Sequence, residues 1–222
     1  AFSRWPVSIG KALKLKTVVA ARGMLSPHAL AVKPLKKYIF LSFMRWINRY
    51  SKVIFHATSA SEVQDIQLIL GKWVQVRTIP NLAREKSSIA KEIVKEAGKS
   101  KLVYIGRIAP EKGTLLALSA LKEQKGSIEL DLYGARYNEA YWNECLKVIS
   151  ELPASIQVNY HGSCASHEVA HHLASAHALL LPSEGENFGH AIVEAFANGR
   201  PVLISKNTPW KNLAAQKAGW DV

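Results

Sequence analysis

From Leu102 onward the chain alternates short apolar runs with stretches of helical spacing, and nothing else in the sequence constrains the fold as strongly. LVYIG (102–106), SIELDLYG, SIQVNYHG and ALLLP read as strands. Between them, GTLLALSALKEQ, the segment 137–151 and SHEVAHHLASA read as helices. Strands alternating with helices predict a parallel sheet covered by helices on both sides. Ligands of such sheets gather beyond the carboxyl ends of the strands. The loops at those ends are GRIAPEKG, YGARY, HGSCAS and PSEGENFGH, so one cleft could collect all four.

The earlier part is less regular. Residues 1–16 show no clear pattern; TVVAA (17–21), VIFHATS (53–59) and KWVQVRTIPN read as strands. SEVQDIQLILG reads as a helix capped by Ser59 or Ser61 and stopped by Gly71. From Pro34 to about Tyr50 the spacing predicts a helix with Leu35, Ile39, Phe43, Trp46 and Ile47 on one face. The polar stretch 82–100, with a helix in IAKEIVKEAG, reads as the interdomain region. The expected domains are 1–80 and 81–222.

The net charge of +12 sits almost wholly at the start of the chain. Residues 1–61 hold eleven Lys or Arg and no acid, and the remaining eighteen basic and seventeen acidic residues leave +1. Such a block suits nucleic acid or an anionic membrane face, and equally an ordinary solvated surface. No nucleic-acid motif accompanies the charge, so no nucleic-acid partner is expected. Basic residues beside Trp and Phe on the 34–50 helix fit either an interfacial helix or core packing. Two cysteines, Cys145 and Cys164, exclude a disulfide framework or a cysteine-rich zinc site. With no apolar run near 18 residues and no secretory leader evident, the expected location is cytoplasmic, peripheral at the inner membrane face.

The chemistry concentrates in LPSEGENFGHAIVEAFANGRPV (181–202). Pro-Ser-Glu-Gly is a loop, Asn187 is suited to cap the helix that follows, Asn198-Gly199 stops it, and PVLIS reads as a strand. Glu186 lies before the helix and Glu194 on it, seven residues between them. Backbone N–H groups around Gly189 form a ready anion site.

This stretch resembles the signature of the retaining family 4 glycosyltransferases of GT-B fold. There a Glu-x7-Glu pair straddles a Phe-Gly turn, followed by Glu-Ala, a small residue, Gly and Pro-Val; here it reads ENFGHAIVE and AFANGRPV. GRIAPEKG (106–113) resembles the family's Gly-Arg…Lys-Gly loop, which holds the donor's pyrophosphate. The resemblance implies an α/β protein with two Rossmann-like parallel-sheet domains, a partial acceptor-side domain first and a nearly complete donor domain second. It implies that Gly106, Arg107, Lys112, Glu186, Asn187, Phe188, Gly189, His190 and Glu194 bind a nucleotide-diphosphate sugar. Arg107 and Lys112 would neutralise the leaving diphosphate in place of a metal, Glu186 would lie at the sugar, and Glu194 would bind the ribose hydroxyls. Tyr133-Gly134 and His161-Gly162 would line the base and sugar pocket. No cofactor or metal is implied. The implied partners are the nucleotide sugar, a glycan or lipid-linked acceptor of surface polysaccharide synthesis, and an anionic membrane surface met through residues 1–61.

VVAARGMLSPHAL and HATSASEVQDI resemble the acceptor-side domain of such enzymes. Where many relatives carry a histidine before the glycine, this chain has Arg22, with His28 six residues later, so no histidine-assisted role is assigned. The resemblance leaves out the first units of that domain and the closing helices, so the chain reads as a fragment. Two other readings remain. One is a nucleotide-sugar-binding module without catalysis. The other is a zinc hydrolase, because His167-Glu168-Val169-Ala170-His171 is a formal HExxH.

Overall fold

A computed structural model describes residues 4–31, 34–82 and 93–222, and the chain divides into two compact units, 1–82 and 83–222. Both are parallel α/β units, the fold class the alternation implies.

In the first unit, β1 (Thr17–Ala20), β2 (Val53–Ala57) and β3 (Gln75–Thr78) form a parallel sheet in that order. The helices are α1 (Arg4–Ala12), α2 (Pro27–Ala31), α3 (Pro34–Trp46) and α4 (Ala60–Leu70). Inward residues of β2, Val53, Phe55 and Ala57, meet Ile66 and Leu70 of α4, Met44 of α3 and Val7 of α1 in one core. Ser59 caps α4 by accepting from the Glu62 N–H, and Gly71 closes it at positive φ. The buried Glu62 carboxylate accepts from the N–H of Gly23 and from the N–H and hydroxyl of Thr58. A carboxylate at a helix N-terminus with such donors is stabilised rather than stranded. It joins the loop after β1 to the end of β2. Arg22, at φ 51°, donates instead to the Asn81 side chain at 3.2 Å.

Two expectations for this unit need correction. The 1–16 stretch contains α1. The 34–50 helix ends at Trp46, because Asn48 turns left-handed (φ 49°) and the N–H groups of Asn48 and Arg49 return to the carbonyls of Arg45 and Met44. Of the two readings of its apolar face, core packing does not hold: Leu35, Ile39, Phe43, Trp46 and Ile47 are all exposed, and Met44 is the buried residue of α3.

The second unit holds β4 (Lys99–Ile105), β5 (Ser127–Tyr133), β6 (Ile156–Tyr160), β7 (Ala178–Leu181), β8 (Val202–Ile204) and β9 (Gly219–Asp221). They form one parallel sheet in the order β6-β5-β4-β7-β8-β9. The chain steps outward from β4 to β6, then returns to place β7 on the other side of β4. That reversal is the switch point of a doubly wound sheet, where a crevice opens beyond the strand ends. Helices α5 (Thr114–Ser119), α6 (Glu139–Ser150), α7 (Val169–Ala174) and α8 (His190–Ala197) connect the strands. The core runs through Tyr104, Leu118, Leu130, Leu132, Leu173, Leu179, Leu181, Ile192 and Ile204. Strand β9 was not expected from the sequence. Residues 89–92 of IAKEIVKEAG lie outside the described residues, and its described part, 93–98, is not helical.

Candidate functional site

The loops after β4 and β7 face each other across the switch point. Lys112 Nζ donates to Glu186 Oε1 at 2.6 Å, with the two side chains 25% and 11% exposed, so a loop cation and a loop acid meet at a half-dry position. Ser183, fully buried, donates its hydroxyl to the same oxygen at 2.9 Å and fixes the Glu186 rotamer. The loops also join through backbone: the Glu184 N–H donates to the Glu111 carbonyl at 3.0 Å. Gly113 makes this approach possible. It sits at φ 67°, and a Cβ there would stand 2.0 Å from the Pro182 carbonyl oxygen.

Arg107 lies on the same loop, just beyond β4, and is paired with the Glu111 carboxylate one helical turn on. Its side chain is 56% exposed, so the guanidinium is presented to solvent. The loop itself is held from beneath by Tyr104. That ring is fully buried, and its hydroxyl lies 3.0 Å from the Arg107 carbonyl, 3.2 Å from the Lys112 carbonyl and 2.9 Å from Thr114 Oγ1. A phenol has one proton to give, so it donates to the two carbonyls in alternation and accepts from Thr114. Burial pushes its pKa well above the ordinary phenolic range. Both cationic residues therefore hang from one hydroxyl, which sequence reading missed because a Tyr two residues before a strand's end looks like ordinary core.

Beyond Glu186 the turn reaches α8. The helix starts from Gly189 in left-handed conformation (φ 76°), so the N-cap position falls on Gly189 and not on Asn187 two residues earlier. Trp210 supports this turn by donating its indole N–H to the Phe188 carbonyl at 2.7 Å, its ring against Phe196 and Phe188. Phe188 is also edge-on to His190, the first and exposed residue of α8. Glu194 lies on α8, with its backbone carbonyl accepting from Asn198. The helix ends as Gly199 turns left-handed, and the N–H groups of Gly199 and Arg200 return to Phe196 and Ala195.

Gly106, Gly134 and Gly162 follow β4, β5 and β6 side by side. The Gly106 N–H donates to the Tyr133 carbonyl at 3.0 Å, and the Gly134 N–H to the Gly162 carbonyl at 2.7 Å. A Cβ on Gly134 would stand 1.8 Å from the Gly106 oxygen, so backbone lies directly on backbone at this edge of the crevice. Next to it Tyr133 is stacked between His161 (4.7 Å) and His172 (4.0 Å). His161 shares a 2.8 Å contact with the buried Asp131 carboxylate. Burial alone would push that carboxyl up, but hydrogen bonds from His161 and Asn159 and the Lys101 ammonium hold it below the ordinary carboxylate range. Burial and the neighbouring His171 hold His172 below the usual imidazole value.

The HExxH segment loses its geometry. Helix α7 begins at Val169, so His167 precedes it and is not one turn from His171 on the same helix face. Glu168 stands at the N-cap position of α7, with its carboxylate accepting the Ala165 N–H at 2.7 Å. Among the described residues no group of three or more His, Cys, Asp or Glu is placed to hold a metal ion, and no helix is long and apolar enough to cross a membrane.

The chain matches known proteins. The D-inositol 3-phosphate glycosyltransferase of Frankia alni is 29% identical over 113 residues, which is 47% of this chain and 28% of that protein. The 2-deoxystreptamine N-acetyl-D-glucosaminyltransferase of Niallia circulans is 30% identical over 115 residues, 50% of this chain and 28% of that one. Among solved structures, Anabaena HepE in complex with UDP and glucose superposes with a TM-score of 0.74 at 18% identity, covering 91% of this chain and 56% of HepE. WaaG, a glycosyltransferase involved in lipopolysaccharide biosynthesis, gives 0.67 at 17% identity, covering 94% of this chain and 61% of WaaG. The fold is thus that of the GT-B glycosyltransferases, and the chain spans a little over a quarter of the length of its curated relatives. The family model for glycosyl transferases group 1 matches residues 85–219, and this chain belongs to that family.

Proposed function

We propose that the chain forms the donor-binding part, with a portion of the acceptor side, of a retaining glycosyltransferase that takes a nucleotide-diphosphate sugar and needs no metal. One observation carries this reading: Lys112 and Glu186 meet at 2.6 Å across the switch point, with Arg107 on the same loop as Lys112. A diphosphate in this crevice would draw Arg107 from Glu111 and share Lys112 with Glu186. The Arg fork and the Lys point charge suit two adjacent phosphates. Breaking the bond between the anomeric carbon and the phosphate oxygen leaves positive charge on the sugar and negative charge on the leaving diphosphate. Cations already fixed beside that leaving group stabilise the transition state more than the ground state.

In this reading Glu186 contacts a sugar hydroxyl, Glu194 the ribose, and the backbone of Asn187, Phe188, Gly189 and His190 the donor. Gly106, Gly134 and Gly162 admit the nucleotide close to backbone. Retention, and cations in place of a metal, rest on the likeness of ENFGHAIVE and GRIAPEKG to the family 4 signature. UDP is the first nucleotide to try, since HepE was solved with UDP and with UDP-glucose. The acceptor class, a glycan or lipid-linked precursor in surface polysaccharide synthesis, and a cytoplasmic site at an anionic membrane rest on the same likeness and on the basic first quarter with exposed Trp46 and Phe43.

The test is calorimetric titration of the protein and of Arg107→Ala with UDP, GDP and ADP in the presence of EDTA. Saturable binding of one nucleotide, indifferent to EDTA and weakened in the variant, is the expected result. Binding that needs a divalent cation, or that ignores the Arg107 substitution, would count against the assigned diphosphate site.

A further inference from the structure

The first unit contains a second site that the donor reading does not use. At the amino ends of β1 and β2 a hollow of about 200 Å³ is lined by Lys11, Lys14, Leu15, Thr17, Arg49 and Lys52 among others. Four of its lining residues are cations and none is an acid. Among the described residues, none of the four has an ion-pair partner. Arg49 Nε is buried without a hydrogen-bond acceptor, although nearly all buried polar groups have one. The hollow also lies outside the segment that matches the family model.

Two helix endings build this arrangement. Helix α1 closes with Lys14 left-handed at φ 55°, the N–H groups of Lys14 and Leu15 returning to the carbonyls of Lys11 and Gly10. Helix α3 closes the same way around Asn48, which delivers Arg49 to the hollow. Glycine is the usual residue at such a left-handed position, and asparagine the next, so Asn48 is ordinary and Lys14 is not. Gly10 completes the wall: a Cβ there would stand 2.3 Å from the Thr17 hydroxyl oxygen, so any larger residue would make the Thr17 side chain turn away.

Helix carboxyl ends attract cations, which accounts for a Lys or Arg at each. It does not account for four of them around one hollow, for an Arg Nε buried without an acceptor, or for a Lys where the backbone favours Gly. An anion with several acceptor oxygens answers all three. We propose that this hollow binds a phosphate group, carried by a soluble phosphate compound or by a lipid headgroup. Among its lining residues Leu15 is 61% exposed, which is compatible with either source. The proposal stands apart from the donor loops, which lie in the other unit.

The test uses Lys14→Gly and Arg49→Met. If the two side chains were merely structural, removing them would leave binding unchanged. Neither substitution is expected to lower the melting temperature, because Gly relieves the left-handed strain and Met removes an unpartnered donor. Each is expected to lower affinity about fivefold. Binding is measured with inorganic phosphate and pyrophosphate by calorimetry, and with phosphatidylcholine vesicles with and without phosphatidylglycerol by sedimentation. Saturable binding of the soluble anions, weakened in both variants, supports the proposal with a soluble ligand. Binding confined to the phosphatidylglycerol vesicles and weakened in both supports it with a lipid ligand. No binding to any probe overturns it. So does a loss in Lys125→Gln, an exposed cation of the second unit and outside the hollow, as large as the loss in the two variants.

Discussion

Tyr104→Phe tests whether one buried hydroxyl holds the cationic loop in place. The substitution keeps the ring in the core and removes an oxygen lying 3.0 and 3.2 Å from the Arg107 and Lys112 carbonyls. Thr114 Oγ1 keeps a second neighbour, the Ala109 N–H at 3.3 Å, so the loss falls mainly on the two loop carbonyls. Removing the partner of buried polar groups costs about 1–2 kcal/mol here. For a unit of this size that lowers the melting temperature by about 3–8 °C. If the same energy orders the loop for its ligand, the competent fraction falls, and nucleotide affinity drops up to about tenfold. The pH dependence gives an independent reading. Burial raises the Tyr104 pKa in the folded protein, so the unfolded chain ionises first. Its contribution is full below about pH 10 and is lost as pH rises beyond that, and the variant lacks this part of the alkaline decline. The assays are thermal unfolding across pH and calorimetric nucleotide titration. An unchanged melting temperature would show that the hydroxyl holds nothing. A lowered melting temperature with unchanged affinity would show that loop order does not govern binding.

Other perturbations follow from the same geometry. Glu111→Gln releases Arg107 from a pair exposed on both sides; stability should change by less than about 0.5 kcal/mol while nucleotide affinity rises a few-fold in calorimetry. Gly134→Ala places a Cβ 1.8 Å from a backbone oxygen and should cost at least about 2 kcal/mol in urea unfolding, with loss of nucleotide binding. The folded-state pKa of His172 lies below its unfolded value, so its contribution is present at high pH and is lost as pH falls through about 6.5. Asp131, His161, His171 and Glu168 act on it electrostatically, and His172→Phe, which keeps an aromatic ring against Tyr133, should flatten the fall in melting temperature between about pH 7 and 5.

Most of the second unit was legible from its pattern, because strand and helix periodicities are local and each apolar run is long enough to carry one. The Glu186 and Lys112 pairing was legible only as two motifs. Their meeting depends on β7 returning beside β4, a long-range choice that no local spacing records. Tyr104 and Trp210 were invisible for a related reason: each is a buried or half-buried residue whose polar atom matters through backbone carbonyls of other loops. Ser183 was passed over as a loop residue, although its partner Glu186 lies three residues on. The N-cap position fell on Gly189 rather than Asn187 because the turn runs left-handed there before the helix begins. The face of α3 was legible as a face, but not as covered or open. Helical spacing identifies which apolar residues share a side, not whether anything covers that side, and here Leu35, Ile39, Phe43, Trp46 and Ile47 are left open. Strand β9 is three residues with one buried position, too short for periodicity to mark.

The central claim is that Arg107 and Lys112 read a diphosphate. It is tested most directly by comparing UDP with UMP, and any other nucleoside diphosphate that binds with its monophosphate, on the parent protein and on Lys112→Met. The account predicts that the parent prefers the diphosphate by at least about tenfold and that this preference collapses in the variant, while monophosphate affinity barely moves. Equal affinity for mono- and diphosphate in the parent, or a preference that survives without Lys112, would contradict it.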